Sequence, residues 1–67
     1  MFFVVSEYRK LCAAQMFDCM PDAIDWIIDT AHKLGANFVP ELSDDEMLWF
    51  RDCMGWLQWV KVIEVKL

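Results

Sequence analysis

The sequence predicts an α+β domain in which three short helices pack with a small two-stranded sheet formed by the N- and C-termini; an all-α bundle is the alternative. Three observations carry this expectation. An amphipathic stretch is bracketed by Pro21 and Gly35, a helix-start signature stands at Ser43-Asp44-Asp45-Glu46, and β-prone runs occupy both ends of the chain. The whole of residues 1–67 reads as one small globular domain, too short for two domains or a repeat array.

Met1 to Val5 is a short β-prone run. From Ser6, as N-cap, a helix is expected, with Tyr8, Leu11, Cys12, Met16 and Cys19 on one face and Gln15 interrupting it. Pro21 opens the second helix where a missing N–H costs nothing. Asp22 sits in its first turn, toward the positive end of the helix dipole. Ile24, Ile27, Ile28, Ala31 and Leu34 follow helical spacing, and Gly35 ends the element as a C′ residue with Lys33 near the negative end. After a connection holding Pro40, Ser43 at N-cap and Glu46 at N3 announce a third helix through Met47, Phe50, Cys53 and Met54 to Gly55. The last twelve residues fit either state. Trp56, Trp59, Val60, Ile63 and Leu67 suit a helix, whereas Leu57, Trp59, Ile63, Val65 and Leu67 form one face of a strand that Lys61 breaks. The β-branched Val60, Val62, Ile63 and Val65 favour the strand, paired with the N-terminal run.

Composition sharpens the functional question. The chain is 58% apolar and 15% aromatic with a net charge of −5, whereas an ordinary soluble domain is about 45–50% apolar. A chain this short buries only about 60% of the surface its unfolded form exposes. Part of the apolar surface is therefore expected outside the core, on a surface that binds something. No uncharged run is long enough to cross a bilayer, and Met1 to Val5 lacks the basic flank of a signal peptide. The expected compartment is a reducing cytoplasm, with Cys12, Cys19 and Cys53 as free thiols. Their spacing provides no local ligand pair, so they read as small core hydrophobes and no metal or other cofactor is expected.

Catalytic chemistry finds little support. The single His32 has no neighbour placed by spacing to orient it, Ser6 and Ser43 read as caps, and two glycines cannot build a phosphate loop. An enzyme is not expected. Direct binding of nucleic acid is disfavoured by six basic against eleven acidic residues, although Arg9, Lys10, Lys61 and Lys66 would adjoin if the termini meet.

The charge is segregated. Residues 18–52 hold nine carboxylates against Lys33 and Arg51, a net of −7, while the flanks carry +2. Asp22, Asp25 and Asp29 form one helical stripe, which Asp18 continues, and Glu41, Asp44, Asp45 and Glu46 form a second cluster. These carboxylates are explained either as a solvated face with dipole-matched helix starts or as half of a binding surface. Trp26 is expected beside the stripe, and Leu48 and Trp49 are hard to bury on an all-round apolar third helix. Acidic residues flanking exposed Trp26, Leu48 and Trp49 make a candidate surface for a basic protein groove. The stripe advances about 4.5 and 6 Å per step along the axis, against a phosphate about every 3.4 Å on one DNA strand, so it imitates DNA only in part.

In character, though without a shared motif, the chain resembles the small acidic inhibitors encoded by phages and other mobile elements, such as uracil-DNA glycosylase inhibitors and anti-CRISPR proteins. That resemblance implies a stoichiometric inhibitor whose carboxylates occupy the groove of a nucleic-acid-handling enzyme, a DNA-repair enzyme or nuclease, with apolar contacts adding affinity. The alternative is a homo-oligomeric structural or adaptor protein that buries its apolar surplus in self-association, as in a homodimer.

Overall fold

One helix lies across one face of a four-stranded antiparallel sheet. The computed structural model describes residues 1–66, with the side chain of Arg9 outside the description. The strands are β1 (Phe2–Val5), β2 (Asn37–Phe38), β3 (Met47–Arg51) and β4 (Leu57–Glu64), in spatial order β1-β4-β3-β2, and the helix is α1 (Met20–Lys33). Short 3-10 turns occupy Arg9–Leu11 and Pro40–Leu42. The expected three helices on a two-stranded sheet are thus corrected to one helix on four strands, and the all-α alternative goes with them.

α1 forms where its signals place it. Pro21 stands in its first turn and Asp22 beside it, while Ala23, Ile27 and Ala31 are fully buried against the sheet. Its end is a Schellman motif: Gly35, at φ 76°, donates its N–H to His32 O, and Ala36 N–H reaches back to Ala31 O at 2.9 Å. Ile28, expected in the core, is instead 45% exposed, on the same side as the aspartates. The buried row runs through residues 20, 23, 27 and 31 because Ala23 and Ala31 let the helix approach the sheet closely.

The two other expected helices are absent. After β1 the chain does not begin a helix at Ser6, whose hydroxyl accepts Tyr8 N–H at 3.0 Å and donates to Trp59 O on β4. That cross-strand bond holds the chain to the sheet. Residues 13–17 then return along β1, where Phe17 and Phe2 exchange backbone hydrogen bonds at 2.8 and 2.9 Å and cover that sheet edge. Ser43 also serves a turn rather than a helix: its hydroxyl donates to Val39 O at 2.8 Å and accepts Trp49 N–H at 2.9 Å. Asp44 Oδ1 accepts the N–H groups of Glu46 and Met47, both at 2.8 Å. Side-chain oxygens that satisfy N–H groups two or three residues ahead build an Asx turn as readily as a helix cap. The following residues, rich in aromatics, settle into β3.

β3 and β4 form a hairpin in register Met47↔Lys61 to Arg51↔Leu57. Its loop uses Gly55, at φ 86°, as the left-handed residue after a turn closed by Gly55 N–H to Asp52 O at 3.0 Å. β4 also pairs with β1 from Phe2↔Glu64 to Val5↔Lys61, so the two chain ends do meet, inside a larger sheet than expected. Leu67, assigned above to either a strand or a helix face, lies outside the described residues.

The core is one cluster between α1 and the sheet, including Val4, Leu48, Phe50, Val60 and Val62 from the strands and Leu11 and Phe17 from the β1–α1 connection. The molecule measures 38 × 22 × 18 Å. Its thinnest dimension accommodates two layers spaced by about 10 Å, not three. One face of the sheet is therefore covered and the other is not.

Candidate functional site

Alternation along the strands decides which side chains meet α1 and which face away. Val4, Leu48, Phe50, Val60 and Val62 point to the helix. Their neighbours form the opposite face, aligned by register: Phe3 beside Ile63, Val5 and Met47 flanking Lys61, Trp49 beside Trp59, and Arg51 beside Leu57. None of these belongs to the core cluster or packs on it. Phe3, Leu57 and Ile63 are 36, 42 and 40% exposed, and the rest of the set is half-buried by its neighbours in the sheet, except for exposed Arg51. The outward positions of β1, β3 and β4 carry no carboxylate; Lys61 and Arg51 are their only charges.

The carboxylates lie elsewhere. Asp22, Asp25 and Asp29 are all exposed on α1, as the spacing requires, with Ile28 among them. Lys33 pairs with Asp29 at 3.0 Å across one helical turn, a solvent-exposed contact. Glu41, Asp44, Asp45 and Glu46 are exposed in the turn that precedes β3. Asp44 titrates below the usual carboxylate value because the N–H groups of Met47 and Glu46 stabilise its charged form. Asp52, in the hairpin loop, is lowered chiefly by the Gln58 amide and also by backbone N–H groups of the loop.

The second acidic group borders a cleft at one end of the sheet, to which α1 contributes Met20 and no carboxylate. β4 runs past the start of β3 there, leaving an open cleft of about 440 Å³ lined by Met20 of α1, by Asp45, Glu46 and Glu64, and by Phe2, Lys61, Val62 and Ile63. Arg51 marks the opposite end of β3, where its guanidinium donates to Gly55 O at 3.0 Å. Both ends of the sheet mix signs: Lys61 and the Met1 ammonium accompany the carboxylates at the Glu46 end, and Asp52 follows Arg51 at the other.

The aromatic companions expected for the carboxylates are redistributed. Leu48 is not exposed: it is buried in the core, because β3 is a strand and position 48 faces α1. Trp26 is half-buried at the core margin, its ring tilted against Phe17 at 6.0 Å. Trp49 keeps partial exposure but lies on the apolar sheet face. The residues missed from sequence are Phe3, Val5, Met47, Leu57, Trp59 and Ile63. Their signal was present: β4 is apolar at both odd and even positions, and such a strand needs two covers.

The cysteines expected in the core, Cys12, Cys19 and Cys53, are all exposed. Cys12 lies in the β1–α1 connection, where its thiol donates to Ser6 O at 2.9 Å. Among the described residues no three His, Cys, Asp or Glu side chains are grouped to hold a metal ion. His32 is exposed on α1. No helix among the described residues is long and apolar enough to cross a membrane. Comparison with protein-family models, with curated proteins and with solved structures finds no match to this chain.

Proposed function

We propose that this chain is a small protein-interaction module whose working surface is the uncovered sheet face. The observation that carries this reading is the outward row of Phe3, Val5, Met47, Trp49, Leu57, Trp59 and Ile63, which α1 and the connections leave open. Interface cores are depleted in charge and enriched in aromatics and methionine, and this row has that composition. Trp49 and Trp59 stand side by side on the two central strands, where a well-packed partner gains most from burying them. The acidic face of α1 then keeps a strongly apolar chain in solution while its sheet is engaged.

A second reading, the occupation of an enzyme's basic groove, keeps one specific support. Asp22 and Asp25 are exposed without an ion-pair partner among the described residues, and Asp45 and Glu46 share a cleft with the start of the same helix. Of the apolar contacts assigned to that groove-filling surface, Leu48 is buried in the core, whereas Trp26 and Trp49 keep partial exposure.

Charge insertion distinguishes the two faces. A tagged chain in native extract is expected to migrate in size-exclusion chromatography as a complex larger than 7.9 kDa. Phe3→Lys and Ile63→Lys, checked for fold by circular dichroism, should abolish that complex, and Asp22→Lys with Asp25→Lys should leave it unchanged. The opposite pattern would move the function to the helix.

A further inference from the structure

The β3–β4 hairpin ends in a tip that is apolar where its turn has no need to be. Met54 and Trp56 are 77 and 69% exposed, more than any other large apolar residue described. Turns form most readily from glycine, asparagine, aspartate and serine, through backbone freedom or short side-chain hydrogen bonds. Asp52 and Gly55 already shape this turn, so polar residues in place of Met54 and Trp56 would serve it equally well.

The loop also holds these side chains on a fixed frame. Asp52 Oδ1 accepts the N–H groups of Met54 and Trp56 at 2.9 and 3.0 Å, and its Oδ2 accepts the Gln58 amide at 3.1 Å. Asp52 N–H donates to Trp56 O, Gly55 N–H donates to Asp52 O, and the Arg51 guanidinium closes on Gly55 O. Side chains carried on a backbone already ordered lose less freedom on binding. We propose that this tip is a preorganised anchor that inserts Trp56, with Met54 beside it, into an apolar pocket of a partner protein.

Two features select a protein pocket over a lipid surface. Adsorption to lipid needs no fixed loop geometry and is strengthened by basic residues facing anionic headgroups. This tip has a fixed geometry, its one cation Arg51 is followed by Asp52, and the chain carries a net charge of −5. Trp is enriched at binding hot spots seated in well-packed pockets, and methionine is enriched in interfaces generally. The pocket is therefore apolar within, with an acceptor for the indole N–H. Size sets the scope of the contact. The exposed part of Trp56 is about 170 Å², whereas a stable interface takes about 800 Å² from each partner. Exposed Leu57 joins the tip to the sheet face. Extension of the contact over that face rests on the reading above; the anchor itself does not.

Two measurements on the full chain test this. Backbone amide relaxation of the purified protein should give residues 53–56 order parameters of about 0.85, and values below about 0.6 would overturn the preorganised frame. In native extract, a benzophenone side chain in place of Met54 should cross-link to one site on one other protein, and that site should line an apolar pocket. Trp56→Ala, which removes nothing from the core, should weaken this cross-link by at least about tenfold, as should Asp52→Ala, which unties the loop but keeps the indole. No cross-link, or one that survives both substitutions, would overturn the proposal. Cross-links to lipid, to a second copy of this chain or to many unrelated proteins would overturn it equally. A cross-link retained in Ile63→Lys would keep the anchor and remove the sheet face from the contact. Complexes that vanish with Ile63→Lys but are untouched by Trp56→Ala would keep the sheet face and overturn the anchor.

Discussion

Leu48 and Trp49 are sequence neighbours whose fates differ only if residues 47–51 are a strand with one face on α1. Leu48 is 9% exposed within the core, so Leu48→Ala removes buried methyl groups and leaves a cavity beside Phe50 and Val60. Substitutions of this kind cost about 2–5 kcal/mol. A domain of 67 residues has only roughly 3–10 kcal/mol in total, so the loss is a large share of it. At about 4–8 °C per kcal/mol, the melting temperature should fall by at least about 8 °C. Trp49→Ala instead removes a cross-strand neighbour of Trp59 on the uncovered face. In dilute protein that should cost about 1 kcal/mol or less. Urea denaturation followed by far-ultraviolet circular dichroism at low micromolar concentration measures both. A helix over these residues would expose both side chains and make both substitutions mild. A Leu48→Ala cost below about 1 kcal/mol, or equal costs at the two positions, would refute the strand assignment and with it the sheet face.

Three further outcomes follow from the turns. Ser43→Ala breaks the bonds to Val39 O and Trp49 N–H and should cost about 1–3 kcal/mol in urea denaturation, whereas Glu46→Ala, whose side chain makes no capping bond, should be nearly neutral. Gly35→Ala meets no atom within 4 Å but must adopt φ 76°, so its cost of about 1–2 kcal/mol, read as a lowered melting temperature, is conformational. Asp44 and Asp52 have folded-state pKa values below the ordinary 3.8. Their contribution is therefore present above that value and lost as pH falls through the lowered ones; Asp52→Asn should flatten the acid limb of a stability–pH profile and leave its shape near neutral pH unchanged.

What was legible in the sequence is explained by the strength of local signals. α1 carries Pro21, helical spacing and Gly35 together, and no competing structure satisfies all three. β4 declares itself through Val60, Val62 and Ile63, and its union with the N-terminal run follows from having a β-prone partner there. β3 was hidden by two ambiguities. Ser43 and Asp44 accept hydrogen bonds from nearby N–H groups in a turn much as they would at a helix start. Met47 to Phe50 is apolar without a break, so it lacks the alternation that marks a strand with one wet face. β2, two residues long, leaves almost no local signal. The acidic stripe was legible because charge spacing on a secure helix fixes its placement. The sheet face was not, because recognising it requires knowing that only one helix exists to cover two apolar surfaces.

The central claim, that the row from Phe3 to Leu57 is a contact surface, is tested most directly by photochemical carbene footprinting of the chain in dilute solution and in native extract. Trp49, Leu57, Trp59 and Ile63 should label freely when dilute and be protected in extract, while Ile28 on α1 labels equally in both. Unchanged labelling of the sheet face, with protection appearing at Ile28 instead, would contradict the account and place the contact on the acidic helix.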